Sequence, residues 1–239
     1  MQISFQRWAA GLALIGFSYG CAHAPLEKAE DPQKLIVQAC APGSLVKSVK
    51  GSAWMKLQSK EVSGQFPANV ISQGPEDLRL EVTNLLGGTE AVITVQGRHY
   101  EVNVPSKKKG TKAQKEEGSG SWGGIPLQWA TDLFLGRIPC PAATVLSGSK
   151  ISVGDSGDLT VETPASLEHE VEKYVYHFRK WEGTPWPESL HWERQGAFAN
   201  AVDFKFDDPE DKTRSPKKWE AKSSRGEVKV RWKDRDIAH

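Results

Sequence analysis

Apolar and polar positions alternate with a period of two through much of the chain. In "VSGQFPANV", Val62, Gly64, Phe66, Ala68 and Val70 fall on one face and Ser63, Gln65 and Asn69 on the other. "DLRLEVT" sets Leu78, Leu80 and Val82 against Asp77, Arg79, Glu81 and Thr83. "TEAVITVQG" and "HYEVNVP" continue with Ala91, Ile93 and Val95, then Tyr100, Val102 and Val104. Such alternation marks antiparallel strands with one dry and one wet face. It resumes in "DLTVET", "VEKYVYHFRKW", "SLHWERQ", "FANAVDFKF", "KWEAKSS" and "EVKVRWKD". There Val202 and Phe204, then Val228, Val230 and Trp232, take the dry face. The expectation is an α+β chain, mostly antiparallel β, of about eleven strands.

Two stretches read as helix. "PQKLIVQACAPGS" holds a short one ending before Pro42-Gly43, and "IPLQWATDLFLGR" brings Leu127, Thr131, Phe134 and Leu135 to one side, with Gly136 as a stop. Residues 105–123 are charged, Gly/Ser-rich and without period, which reads as a mobile loop. So many one-sided strands must bury their dry faces. Two sheets packed as a sandwich would leave no interior space; one long sheet curled around a helix would enclose a lumen. Periodicity favours neither.

The first twenty residues change the setting. "MQISFQRWAAGLALIGFSYGC" carries one positive charge, Arg7, then an apolar run too short to span a bilayer, then small residues before Cys21. This is an export signal over residues 1–20, with Cys21 as the expected acylation site; a plain secretory signal with an incidental cysteine is the alternative. Residues 21–32 then form a tether and residues 33–239 one domain, lipid-anchored and periplasm-facing. Ala22 after the cysteine, in place of aspartate, favours the outer membrane of a Gram-negative envelope. The formal net charge of +1 falls to 0 without Arg7, which argues against nucleic acid. Cys40 and Cys140 are an even pair in an oxidising compartment. A disulfide or two buried thiols both fit, since sequence supplies no distance.

No catalytic constellation emerges, and neither cofactor nor metal is expected. Ser44, Ser106, Ser147 and Ser215 each precede a lysine by three residues, as chance gives in a Ser- and Lys-rich chain, without the further motifs of an acyl-enzyme. "HEVEK" at His169 has Lys173 where a zinc-protease helix needs histidine. Asp207-Asp208 and Glu210-Asp211 read as solvated turn acids. Lys107 to Lys109 read as a hydrated loop, or as a contact to anionic headgroups. Trp181, Trp186, Trp192, Trp219 and Trp232 suit a core or a sugar-stacking face. The second option keeps open a structural glycan- or protein-binding module.

The stretch "EVTNLLGGTEAVI" places Leu85 and Leu86 at a hairpin tip before Gly87-Gly88. Two leucines there either fold back over the core or await an apolar partner. "LRLEVTNLLGGTEAVITV" followed by "GGIPLQWATDLFLGRIP" resembles the outer-membrane lipoprotein receptors of the Lol pathway, the LolB family within the LolA/LolB-like superfamily. The match covers about thirty residues. It implies a half-open β-barrel with a helical lid over an apolar cavity for the acyl chains of lipoprotein cargo. It also implies a periplasmic LolA-like carrier as partner, a monomer, and a leucine-bearing loop for membrane delivery. Leu86 occupies that leucine's place, and Leu85 stands where the family has proline, which makes the loop less rigid and more apolar. The cavity wall would come from Phe66, Val70, Leu78, Leu80 and Val82, then Ile93 and Val95. Val202, Phe204, Val228 and Val230 would complete it.

Overall fold

The computed structural model describes residues 31–60, 63–106, 112–165, 170–197, 199–210 and 212–239. Cys21, the export segment, Lys107 to Lys109 and His169 lie outside them. In chain order come α1 (Pro32–Cys40), β1 (Ser48–Ser59), β2 (Ser63–Gln73), β3 (Asp77–Thr83), β4 (Thr89–Gln96) and β5 (His99–Val104). Then follow β6 (Gln114–Ser119), β7 (Ser121–Trp122), β8 (Ile125–Pro126), α2 (Leu127–Leu135), α3 (Ala143–Leu146) and β9 (Lys150–Val153). The last six are β10 (Leu159–Glu162), β11 (Glu172–Trp181), β12 (Thr184–Arg194), β13 (Asn200–Pro209), β14 (Pro216–Ser223) and β15 (Gly226–Ala238).

Thirteen of the strands form one antiparallel sheet in the order β6-β5-β4-β3-β2-β1-β15-β14-β13-β12-β11-β10-β9. Every neighbour is joined by a hairpin except β1 and β15, which weld the two halves at the centre through a pairing from Ser48–Ala238 to Ser59–Gly226. β7 and β8 make a separate small ribbon. The expectation of about eleven strands is therefore corrected upwards, and the sheet stays open, its edges β6 and β9 unpaired with each other. Segment 105–123 is corrected too, since β6 and β7 lie within it. β6 is an edge strand wet on both faces, so its sequence "QKEEGS" shows no alternation. Its charges discourage pairing with another chain.

The dry face wraps α2. That helix is buried nearly all round, with Leu127, Trp129, Ala130, Thr131, Leu133, Phe134 and Leu135 inside, as expected of a helix apolar on every side. It touches β1, β2 and β3 on one flank. On the other, the Trp129 ring meets Trp192 edge-on at 4.4 Å, and Phe134 meets Trp219 edge-on at 5.2 Å. Gly136 ends the helix in the left-handed region at φ 79°, and the Arg137 amide returns to the Asp132 carbonyl. A side chain there would be strained and would press on Ser215.

α1 starts where Asp31 accepts a hydrogen bond from the Gln33 amide at 3.0 Å and Pro32 opens the first turn. Leu35, Ile36 and Ala39 bury its inner side. A disulfide joins Cys40 to Cys140, with Cα atoms 5.9 Å apart, and ties α1 to the segment leaving α2. Nearby, the Tyr176 hydroxyl donates to the Pro139 carbonyl at 2.8 Å. The Arg137 guanidinium donates to the Val46 carbonyl at 2.6 Å and lies 3.6 Å from Asp132. The acids read as solvated are corrected in part. Asp207 lies in β13 and pairs with Arg179 at 3.2 Å, and Glu210 pairs at 3.0 Å with the buried Arg235. Cross-strand arginines claim them, a partnership no local pattern announces.

Cys40→Ser together with Cys140→Ser removes a cross-link between residues 100 apart in sequence. It should cost about 3–5 kcal/mol of unfolding free energy, read from urea denaturation with and without reductant. Burial pushes the Asp132 carboxyl up to about 6, the Arg137 charge pulling the other way. With the folded value above the unfolded one, stability is fully present below about pH 4 and is lost as pH rises through about 6. Asp132→Asn should abolish that loss, gaining about 2 kcal/mol on the wild type across this window in pH-resolved denaturation.

Candidate functional site

The β3–β4 hairpin closes through a turn in which the Gly87 amide donates to the Asn84 carbonyl at 3.0 Å. Leu85 and Leu86 are its two central residues, so their side chains point off the tip. They are 80% and 97% exposed. Gly87 follows at φ 84°, a left-handed step that leucine or valine would resist.

The Asn84 side chain fixes this shape. Its Oδ1 accepts from the amides of Leu86 and Gly88, both at 2.9 Å, and its Nδ2 donates to Glu90 at 3.0 Å. Below it, the Thr89 hydroxyl donates to Glu81 at 2.8 Å. The stiffness expected to be lost with proline at position 85 is supplied by an asparagine cradle. Sequence reasoning passed over Asn84, although an asparagine ahead of a glycine pair is a known signature of side-chain-to-backbone turns.

The expected wall residues share the dry face. Val70, Leu78, Leu80, Val82, Ile93 and Val95 are buried on β2 to β4, and Val202, Phe204, Val228 and Val230 on β13 and β15. Phe66 is half-buried. What the sequence did not reveal is how much of this wall α2 covers. Trp129 sits edge-on to Phe204 at 5.8 Å, and Phe134 edge-on to Trp232 at 6.4 Å. Two surface depressions of about 530 Å³ each lie elsewhere, one beside Arg194 and Lys222 and one beside Thr94 and Glu117; neither is lined by a wall residue. The less covered part of the dry face is formed by Leu57, Phe66, Ala91 and Val102, each half-buried and paired in register with a buried neighbour.

Trp186, Trp192, Trp219 and Trp232 are buried and Trp181 is half-buried, so four of these five indoles serve the core and offer sugars no face. Among the described residues no three His, Cys, Asp or Glu side chains gather in a way that could hold a metal ion. No described helix is long and apolar enough to cross a membrane.

Three solved structures align with most of the chain at low identity. The LolA superfamily protein NE2245 from Nitrosomonas europaea aligns over 88% of this chain and 95% of its own, at a TM-score of 0.48 and 11% identity. A putative outer membrane lipoprotein-sorting protein domain from Vibrio parahaemolyticus aligns over 80% and 85%, at 0.46 and 7%. The lipoprotein LppX from Mycobacterium tuberculosis aligns over 84% and 91%, at 0.30 and 11%. No family model matches the sequence, and no curated protein matches it either.

Replacing Asn84 by alanine should leave the melting temperature within a few degrees of the wild type while freeing the tip. Hydrogen exchange at the Leu86 and Gly88 amides should rise at least about ten-fold, since each loses its acceptor; unchanged exchange would show that the backbone alone sets the turn.

Proposed function

We propose that this protein is a lipid-anchored receptor, held in the outer membrane through Cys21, that accepts acylated lipoproteins and delivers them into that membrane. The observation that carries this reading is the pair of leucines fixed at a hydrogen-bonded tip. Burying one leucine is worth roughly 1.5–3 kcal/mol. A fold that braces two of them in water forgoes that gain unless a bilayer or an apolar cargo receives them. The resemblance of the "TNLLGGTE" and "LFLG" segments to the LolB family points the same way.

No covalent step is needed. Acyl chains in water seek apolar surface at about 0.8 kcal/mol per buried methylene. In this reading a soluble carrier presents the cargo, and its chains enter over the half-buried patch of Leu57, Phe66, Ala91 and Val102. They go further only as the rings of α2 yield. The Leu85–Leu86 tip then enters the leaflet and gives the chains a continuous apolar route out. The wet outer face of the sheet takes no part in the transfer.

A photocrosslinking residue at Phe66 should capture acylated lipoprotein in cells, and one at Lys205 on the outer face should not. Leu86→Glu should fold normally yet leave cargo undelivered, measured as lipoprotein retained on the carrier in a reconstituted transfer. Capture of glycan in place of lipoprotein would favour a structural binding module, and loss of the fold in Leu86→Glu would return that leucine to the core.

A further inference from the structure

Glycine inside a strand packs nothing and costs backbone entropy, so its presence there asks for a reason. Gly64 sits on the dry side of β2, opposite Leu57 of β1. Its backbone lies outside the left-handed region, so the conformation does not require glycine. The obstacle to a side chain is a neighbour. The three atoms nearest to where a Cβ would stand all belong to the Phe66 ring, with Cζ first at 2.7 Å. Other crowded glycines differ: a Cβ at Gly43 or Gly51 would strike the backbone of Gly136 or Asp234, which the fold holds in place. At Gly64 the obstacle is the far end of a side chain that can rotate.

Phe66 lies two residues further along β2 on the same face, and its register partner is the buried Met55. Its ring folds back along its own strand onto the bare backbone of Gly64 and stays half-buried. Pairing of β2 with β3 stops at Ala68–Val82. Both residues therefore lie past the last pair, toward the end of the sheet that carries Leu85 and Leu86. Leu57, across from Gly64, is half-buried as well. Tyr100 covers Gly118 in a similar way between β5 and β6, but its hydroxyl bonds to Glu116 at 3.2 Å. Phe66 has no polar group by which it could be tied down.

We infer that Phe66 is a plug, and that its seat over Gly64 is the place an acyl chain of the cargo takes when the ring swings out. The ring itself shows that the seat accepts an apolar group. A straight hydrocarbon chain is no broader than a phenyl ring and asks for no hydrogen-bond partner, and the bare glycine backbone lets it lie close against the sheet. A half-buried ring gives up less on leaving than a buried one, because the free energy of burial scales with the area removed from water. Its exit needs only another staggered χ1. Cargo then competes with the ring, and apparent affinity is reduced by the fraction of molecules whose seat is open. Glycine makes the seat, and phenylalanine keeps it dry until a chain arrives. The inference rests on the acyl-receptor reading and adds to it the side chain that the cargo must displace.

The test uses the full chain in cells, with a photocrosslinking residue at Ala91, on the half-buried patch but outside the seat. Phe66→Ala should raise the initial rate of acylated-lipoprotein capture at least about five-fold, because no ring has to be expelled. Gly64→Val should lower it by a similar factor, because a branched side chain then fills the seat permanently. The combined Gly64→Val, Phe66→Ala chain should stay as low as Gly64→Val alone. A wall residue of ordinary kind would behave in the opposite way, its loss weakening capture. One cooperative melting transition in each purified chain checks folding, and Gly64→Ala takes the place of Gly64→Val should valine prevent it. Capture lowered or unmoved by Phe66→Ala would overturn the inference, as would capture in the combined chain as fast as in Phe66→Ala. Either result leaves the receptor reading standing, since lipoprotein is still captured. No capture by the parent chain or any variant would overturn that reading and the plug with it.

Discussion

The whole molecule depends on one constraint: a thirteen-stranded sheet with a single dry face has to find something to press that face against. It finds α2. Because the helix is apolar around nearly its full circumference, it can be wrapped from several sides at once, by β1 to β3 on one flank and by the aromatic rings of β11 to β15 on the other. A sheet of this length cannot stay flat, since each strand pair adds twist. The helix gives the curl a centre without closing it. β6 and β9 are left as edges, the first guarded by charge and the second only four residues long.

That arrangement separates two jobs. The interior is packed with edge-to-face aromatic contacts, each worth about 0.5–1.5 kcal/mol beyond simple burial, and it gives the fold its stability. The rim is free of that duty. Leu85 and Leu86 can be held in water because the core does not need them, and the Asn84 cradle spends three hydrogen bonds on a loop that buries nothing. Local order without local burial is the mark of a surface shaped for contact.

Much of this was legible in the residues. Period-two runs located the long strands that have a wet face, and Gly136 announced the end of α2. The hairpin tip and its leucines were visible as a break in alternation. What escaped has specific causes. β1 has Gly51 and Ala53 on its inward side, Trp54 outside and a register shift between Ser52 and Ala53, so its pattern is blurred. β6 has no dry face at all. The pairings of Glu210 with Arg235 and of Asp207 with Arg179 join residues 25 and 28 apart, and only the sheet register brings them together. The choice between a filled and a hollow interior was beyond the pattern in principle, because alternation records which side is dry and not what dries it.

The disulfide bears on the exposed tip in a way that goes beyond stability. Cys40 and Cys140 bracket every element from β1 through α2, and the tip lies inside that span. A protease that clipped the chain between Leu86 and Gly87 would therefore release no fragment. The severed pieces would stay tethered through sulfur and through the sheet, and the damaged molecule would keep its outward appearance after losing the continuity of its apolar tip.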